Sequence, residues 1–379
     1  MGTERHRVLL FIPHLDQGGA ERQMLELMRR LPERFEPVLC VAEDTLHYRE
    51  LLPAGEPRYT LGPLGPGALG RLVDVIREVE PHILHSYRDK ANFWARLAAL
   101  RAPVPVVLTS CRNRAMHPVH LAAEPWLSRR VSDRVLTNSE GVRRELVGLA
   151  RVPADKIQVI HNFIDIERFR PPDHGERAAA RRRWGLADGE VALLLPGRIS
   201  LQKHQLGLAL ALWHLRRRGV LTDHVRVLLA GRERDRWVAA ALPRWMSLLE
   251  VDRFVHRLGP VEDIVSLYHA ADALVMPSLW EGLSNAVLEA HACGLPAVVS
   301  HAANVDGIVV EGTSGFEVPT LRHAPLADAI GKLLAVDDAT RRRMGQAGRA
   351  NVVARFSAGR VLQETVDLYD RMLAAKGLA

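Results

Sequence analysis

Residues 281–296 read EGLSNAVLEAHACGLP and decide the fold, because they place two acids on either side of a loop-to-helix turn. Glu281 lies in a loop of small residues, and Glu289 lies in the short apolar helix that follows. The N–H groups of a helix start and the positive end of its dipole suit a diphosphate. The two carboxylates suit vicinal hydroxyls instead, because an ionised carboxylate accepts hydrogen bonds and repels phosphate. This stretch therefore predicts a site for a sugar nucleotide.

Outside this stretch, short apolar runs alternate with amphipathic helices, which indicates parallel sheets covered on both faces. A chain of 379 residues is long enough for two such domains, and the polar, Pro-rich segment 170–175 is the best linker. We predict doubly wound α/β domains over 1–168 and 175–358, with the last helix (359–379) packing back on the first domain. The predicted strands are 8–12, 38–42, 83–85, 104–108, 135–137, 191–195, 225–229, 254–256, 273–275 and 297–299, and the predicted helices are 20–30, 69–79, 92–100, 206–217 and 235–249.

The composition is that of a globular protein, with 47% hydrophobic and 25% charged residues. The net charge of +7 favours an anionic partner: a nucleotide diphosphate, an anionic membrane surface or nucleic acid. Nucleic acid is disfavoured, because aromatic residues make up only 5% and no basic run is interleaved with them. The apolar run 8–12 is too short for a signal peptide, no stretch reaches the roughly 18 apolar residues of a membrane span, and the three cysteines suggest neither a disulfide framework nor a zinc site. We therefore expect a cytoplasmic protein.

Two turns that follow strands could bind phosphate. Gly18 and Gly19 follow the first strand and open a helix, where glycine lets the backbone approach a phosphate closely. The spacing does not match a dinucleotide fingerprint, and an ordinary strand–helix turn explains it equally well. Arg198 and Lys203 follow the first strand of the second domain, and their planar and point charges suit a diphosphate leaving group. A solvated loop is the alternative for this pair.

The segment 277–299 resembles the signature of glycosyltransferase family 4, whose members use nucleotide sugars and have the GT-B fold. The resemblance continues in order along nearly the whole chain. The other matching segments are 17–22, 81–86, 132–139, 159–165, 197–203 and 312–316.

The resemblance implies two Rossmann-like domains facing across a cleft and transfer with retention of anomeric configuration. It implies that Glu289 holds the ribose hydroxyls, and that Glu281 and the backbone from Gly282 to Ser284 hold the donor sugar. Arg198 and Lys203 would neutralise the diphosphate, so that stabilising its developing charge is the main task of the protein. The predicted catalytic residues are Arg198, Lys203 and Glu281, and the predicted donor-binding residues are Gly18, Gly19, Gly197, Gly282, Leu283, Ser284, Asn285 and Glu289.

The acceptor side departs from many relatives, because Cys111 stands where they carry a histidine. A subset of relatives has a similar Ser-x-Arg-Asn, which implies that Arg112 and Asn113 shape the acceptor cleft. His14 and His85 are further acceptor candidates, although a buried structural histidine is the commoner situation. A second departure is at 302–304, where Ala-Ala-Asn replaces a Gly-Gly pair that usually lies near the nucleotide.

No Asp-x-Asp occurs in the chain, and Arg198, Lys203 and helix starts can supply positive charge instead, so we expect no metal and no cofactor besides the donor. The acceptor expected is a saccharide, a lipid-linked sugar or a small molecule. Trp126, close to Arg129 and Arg130, would suit peripheral contact with an anionic membrane on its inner face, although an ordinary solvated helix face is the simpler interpretation.

We predict a retaining glycosyltransferase that moves a sugar from a UDP- or GDP-linked donor to a hydroxyl, in the synthesis of a surface polysaccharide, a glycolipid or a glycosylated metabolite. One alternative is a sugar-nucleotide 2-epimerase of the same fold, which needs no acceptor. Another is a non-catalytic relative that only binds sugar nucleotides. The presence of Arg198, Lys203, Glu281 and Glu289 together argues against such decay.

Overall fold

The computed structural model describes residues 5–16, 18–43, 45, 51–52, 58–112 and 118–378. The chain divides into two compact units, one of Met1–Phe163 with Gly359–Ala379 and the other of Ile164–Ala358. The first unit ends at Phe163, whereas we predicted residue 168. The physical reason is that Ile164 already pairs within the second unit, donating its N–H to Phe356 O and accepting from Ala358 N. The predicted linker therefore lies inside the second unit.

The described part of the first unit has a seven-stranded parallel sheet with the order β3-β2-β1-β4-β5-β6-β7. Its strands are β1 His6–His14, β2 Phe35–Glu43, β3 Arg58–Thr60, β4 Ile83–Tyr87, β5 Val106–Cys111, β6 Arg134–Thr137 and β7 Ile157–Val159. Its helices are α1 Gly19–Arg30, α2 Pro66–Val79, α3 Asp89–Ala99, α4 Pro118–Arg130 and α5 Glu140–Gly148, with α13 Ala358–Ala374 at the end of the chain.

The described part of the second unit has a six-stranded parallel sheet with the order β10-β9-β8-β11-β12-β13. Its strands are β8 Val191–Pro196, β9 Val225–Ala230, β10 Val255–Gly259, β11 Ala273–Met276, β12 Ala297–Ser300 and β13 Gly315–Val318. Its helices are α6 His174–Arg183, α7 Gln205–Arg217, α8 Arg236–Leu248, α9 Ile264–Ala270, α10 Asn285–Ala292, α11 His323–Ala335 and α12 Asp338–Phe356.

Alternation along the central strands explains why both sheets are covered on two faces. In β8, Leu194 packs into one hydrophobic cluster, while Leu193 and Leu195 pack into another on the opposite face. A strand buried on both faces has no polar side, which is why β1 has a run of fully buried residues from Val8 to Ile12. The prediction of two doubly wound α/β domains is confirmed. In the described residues no helix is both long enough and apolar enough to cross a membrane.

A buried ion pair holds α3 to α4 in the first unit. Arg96 Nη1 and Nη2 donate to the two carboxylate oxygens of Glu124 at 2.7 and 2.6 Å, and both side chains are 1% exposed. The Nε of Arg96 donates to Asn92 O, so the guanidinium is bonded on several sides. A charge that is removed from water in this way depends on its partner, because an unpaired buried charge is very costly.

We expect Arg96→Met to lower the free energy of unfolding by about 3–5 kcal/mol, because it leaves the Glu124 carboxylate buried without a counter-charge. The double variant Arg96→Met/Glu124→Leu removes both charges and should recover most of that loss. Urea unfolding followed by circular dichroism measures both. A double variant that is no more stable than Arg96→Met would contradict this account.

Candidate functional site

In the second unit, two turns that follow neighbouring strands meet at one edge of the sheet. Lys203 lies in the turn after β8, and Glu281 lies in the loop after β11; these two strands pair in parallel. Lys203 Nζ donates to Glu281 Oε1 at 2.6 Å, and the side chains are only 14% and 10% exposed. Gln202 connects the same two segments. Its side-chain Nε2 donates to Trp280 O at 2.9 Å, and its backbone carbonyl accepts from Leu279 N at 2.8 Å. Two predicted catalytic residues are thus in direct contact.

The side chain of Lys203 runs directly past Gly197, where a larger residue would clash with it. A Cβ at position 197 would lie 2.9 Å from Lys203 Cε, and the residue has φ +142°, a conformation that favours glycine. The next strand end approaches just as closely, since a Cβ on Gly231 would lie 2.2 Å from Gly197 O. Both glycines therefore permit a close approach of chain segments beside the lysine.

The Arg198 side chain is exposed, while its backbone carbonyl is held by a hydrogen bond from a buried residue. Its carbonyl accepts from Nε2 of Gln205, a residue with 0% exposure, at 2.9 Å. The guanidinium is thus presented at the surface by a rigid turn, on the same segment as Lys203. Two cationic side chains at a strand end can stabilise an anion.

The segment Gly282–Asn285 leads into α10 and contains a buried hydroxyl group. Ser284 is the residue that precedes the helix, and its side chain makes no capping hydrogen bond. Its Oγ and that of Ser278 are buried, and neither has a partner in the part of the chain that the structure describes. Buried polar atoms normally have partners, so these hydroxyls indicate a place for water or a ligand. Leu283, by contrast, is 5% exposed and packs into the hydrophobic core.

Glu289 is oriented by a tyrosine that the sequence did not reveal. Tyr268, in α9, is 0% exposed and donates its hydroxyl to Glu289 Oε2 at 2.8 Å. Glu289 itself is half-buried. A carboxylate in an apolar helix is costly unless bonded, and the tyrosine supplies such a bond.

His204 follows Lys203 directly and connects this turn to α11. It has φ +54°, and its Nε2 lies 3.2 Å from Nε2 of His323, the first residue of that helix. Gly207 makes room for the ring, since a Cβ there would lie 2.0 Å from His204 Nε2. Burial, followed by repulsion from His323, lowers the pKa of His204 to about 4, and burial also lowers the pKa of His323. Both rings are neutral at pH 7, which lets one N–H donate to the other ring nitrogen.

In the first unit, Gly18 leaves space for a neighbouring side chain, a structural role that we did not predict. A Cβ on Gly18 would lie 2.2 Å from Oε2 of Glu21, whose carboxylate folds back over the start of α1 and is almost fully buried. Arg88 Nη1 donates to Glu21 Oε1 at 2.7 Å and lies 3.1 Å from His14 Nε2. Gly18 therefore accommodates a buried carboxylate. Gly19 is the first residue of α1 and is exposed.

His85 makes contacts inside the protein with both ring nitrogens. Nδ1 lies 2.7 Å from the hydroxyl of Tyr369, Nε2 lies 2.8 Å from Ser110 Oγ, and the residue is 1% exposed. Burial holds the pKa of His85 well below its usual value, with repulsion from Arg112 as the second cause. The neutral ring is thus a buried structural group that links β4, β5 and α13.

Arg112 follows β5 and is half-buried. Its Nη1 donates to Asn162 Oδ1 at 2.7 Å, and its guanidinium carbon lies 5.2 Å from the centroid of the Tyr87 ring. Asn113 lies outside the described residues. Trp126, the predicted membrane-contact residue, is 53% exposed on α4.

Two family models match the chain, one mainly over the first unit and one within the second. Residues 17–168 match "Glycosyltransferase Family 4", and residues 190–336 match "Glycosyl transferases group 1". A D-inositol 3-phosphate glycosyltransferase of Stackebrandtia nassauensis is 29% identical over 93% of this chain and 87% of that protein. The enzyme of that name from Kribbella flavida is 32% identical over 70% of this chain and 65% of that protein.

Solved structures show the same fold at low identity. Anabaena HepE, crystallised with UDP and glucose, has a TM-score of 0.85 at 20% identity, covering 97% of this chain and 100% of that one. Sucrose-phosphate synthase from Thermosynechococcus elongatus has a TM-score of 0.79 at 20% identity, covering 98% and 100%. These similarities confirm the predicted GT-B fold class.

We expect the contact between His204 and His323 to make the second unit sensitive to acid. A histidine whose folded pKa lies below its unfolded pKa of 6.5 stabilises the protein above pH 6.5, and that stability is lost as the pH falls towards the folded value of about 4. His204→Asn keeps a residue that tolerates positive φ and cannot be protonated. Its melting temperature should therefore fall less than that of the wild type between about pH 7 and about pH 4.5.

The exposed His224 provides the matched control, and His224→Asn should follow the wild-type curve. If His204→Asn and the wild type lose the same number of degrees over this range, the imidazole contact does not determine the acid sensitivity.

Proposed function

Because the chain belongs to glycosyltransferase family 4, we propose that it moves a sugar from a UDP- or GDP-linked donor to a hydroxyl group of an acceptor. The carrying observation is that Arg198, Lys203, Glu281 and Glu289 all follow the carboxyl ends of the neighbouring strands β8 and β11. In open α/β sheets this edge is where ligands bind. The complex of HepE with UDP and glucose supports a uridine nucleotide as the first donor to test.

In this proposal the two acids divide the donor between them. Glu289, oriented by Tyr268, accepts hydrogen bonds from the ribose hydroxyls. Glu281 and the backbone of the segment Gly282–Asn285 bind the sugar, at the start of α10. The buried Ser284 hydroxyl then has a partner in the donor.

Arg198 and Lys203 stabilise the charge that develops on the leaving diphosphate. The contact at 2.6 Å keeps the Lys203 ammonium in place before the donor binds. An ammonium has three N–H donors, so the one engaged by Glu281 leaves others to point at a phosphate oxygen. A preorganised cation at a partly buried site stabilises developing charge more than a solvated one does.

The acceptor attacks the anomeric carbon from the face that the diphosphate leaves, so that the anomeric configuration is retained. We assign acceptor binding to the first unit, where Arg112 and His14 are half-buried. The acceptor hydroxyl loses its proton as the bond to the nucleotide breaks, and the departing diphosphate oxygen takes up that proton. This step needs electrostatic stabilisation of the diphosphate and no covalent intermediate on the protein.

With the acceptor undefined, the first test is UDP affinity and slow hydrolysis of a panel of UDP-, GDP- and ADP-sugars. We expect Lys203→Met to lower the hydrolysis rate roughly 100-fold, because the leaving diphosphate loses a positioned cation. We expect Glu289→Gln to weaken UDP binding roughly tenfold, because the ribose loses charge-assisted hydrogen bonds.

Glu262→Gln is the matched control, since Glu262 is an exposed acid of the same unit and should leave both values unchanged. Wild-type affinity for UDP in Glu289→Gln would refute the ribose assignment. Formation of a 2-epimer from a UDP-sugar without acceptor would identify an epimerase instead.

We also propose that turnover requires no metal ion, because Arg198 and Lys203 supply the positive charge next to the diphosphate. Dialysis against EDTA should leave the hydrolysis rate within about twofold of the untreated enzyme, a change of under 1 kcal/mol in the barrier. A loss of turnover that added Mg²⁺ or Mn²⁺ restores would show that a metal takes part.

A further inference from the structure

A pocket in the first unit lies at the carboxyl end of its sheet and is lined by groups from several elements. Tyr87 at the end of β4, Arg112 after β5, His161 after β7 and Thr365 of α13 contribute to its wall. Of the described residues that line it, none is acidic, and Arg112 is the only arginine or lysine. Arg112 is therefore the one permanently charged group among the described residues of this lining.

Arg112 has no counter-charge in the described structure. Its guanidinium donates to the neutral amide oxygen of Asn162, which also accepts from Asn138 Nδ2 at 3.3 Å, and it interacts with the neutral phenol of Tyr87. Among the described carboxylates, none forms an ion pair with it. Two other arginines of this unit do have one, since the fully buried Arg96 pairs with Glu124 and the partly buried Arg88 pairs with Glu21. The segment 113–117 that follows Arg112 reads NRAMH and contains no acid.

The aromatic and imidazole neighbours of Arg112 do not compensate its charge. Burial raises the pKa of Tyr87 to about 12 and that of Tyr369 well above its ordinary value, so both phenols stay neutral. His85 is neutral as well. Burial also lowers the pKa of Arg112 itself, which reflects the cost of removing a guanidinium from water without an anion beside it.

Three buried polar atoms around this position have no hydrogen-bond partner in the described part of the chain. They are Nε of Arg112, Oγ1 of Thr137 and Oδ1 of Asn138. Thr137 ends β6, and Asn138 follows it, so all three belong to the same sheet edge. Unpaired groups of this kind are uncommon in folded proteins. An anion accepts hydrogen bonds and can therefore complete the donor Arg112 Nε, whereas Asn138 Oδ1 is itself an acceptor and needs a donor such as water.

We propose that this pocket binds an anionic group of the acceptor, a phosphate or a carboxylate, with Arg112 as its counter-charge. A planar guanidinium donates two parallel hydrogen bonds to either group. The inference rests on the proposed function, because it names the class of acceptor that the glycosyltransferase uses.

Pairs of probes that differ in carrying or lacking an anionic group test whether the pocket recognises that group. Isothermal titration calorimetry in saturating UDP compares D-inositol 3-phosphate with myo-inositol, D-glucuronate with D-glucose, and inorganic phosphate alone. We expect the wild type to bind the charged member of at least one pair roughly tenfold more tightly than its neutral counterpart. The pair that shows the difference identifies phosphate or carboxylate as the group recognised.

Arg112→Gln keeps a hydrogen-bonding side chain and removes the charge, so it should reduce the affinity for the charged probe to that for the neutral one. Arg129→Gln is the control, because Arg129 is an exposed arginine of the same unit outside the pocket. The melting temperature and UDP affinity of each variant report whether it is folded.

Equal affinities within both pairs, absence of binding by every anionic probe, or wild-type anion affinity in Arg112→Gln would each overturn the inference. The proposed function fails by a different result, which is absence of binding and hydrolysis of every nucleotide sugar. An anion that binds through Arg112 while no nucleotide sugar binds would leave the pocket with another ligand.

Discussion

The largely buried contact between Lys203 and Glu281 is the constraint on which the site in the second unit depends. Each residue follows a different strand, and the two meet because parallel neighbours bring their carboxyl ends to one edge. Two charges that are largely removed from water must stay paired unless another charge enters. The glycines at 197 and 231 and the fixed backbone of Arg198 can be understood as conditions for this contact, because they let the turns approach so closely.

The sequence was sufficient to predict that Arg198, Lys203, Glu281 and Glu289 lie beyond strand ends, because this depends only on local hydrophobic patterns. It was not sufficient to pair Lys203 with Glu281, since that requires knowing that β8 and β11 are neighbours. The strand order of a sheet is set by packing between distant segments. Short strands were missed for a related reason: β3 and β7 have three residues each, too few to show a period. The strand predicted at 104–108 is displaced to Val106–Cys111.

In the first unit, residue type was a weaker guide. Gly18 was predicted to let a phosphate approach, yet the carboxylate of Glu21 occupies the space beside it, matched by Arg88. The pairing of Glu21 with Arg88 could not be recognised from the sequence, because 67 positions separate the two residues in the chain. Tyr369 was missed similarly, since it reaches His85 from a helix that is 284 positions away. Local sequence thus indicates where a group lies along the chain, while its partner is determined by the tertiary fold.

The return of the chain to the first unit has a consequence for the order in which the protein is made. The segment Gly359–Ala379 completes that unit, and its Tyr369 is fully buried against Phe35 and His85. During synthesis the first 163 residues emerge without this side chain, and the ribosome must produce the entire second unit before supplying it. The second unit, which is continuous in sequence, can fold while translation proceeds. The domain that emerges first is therefore the one whose core is closed last.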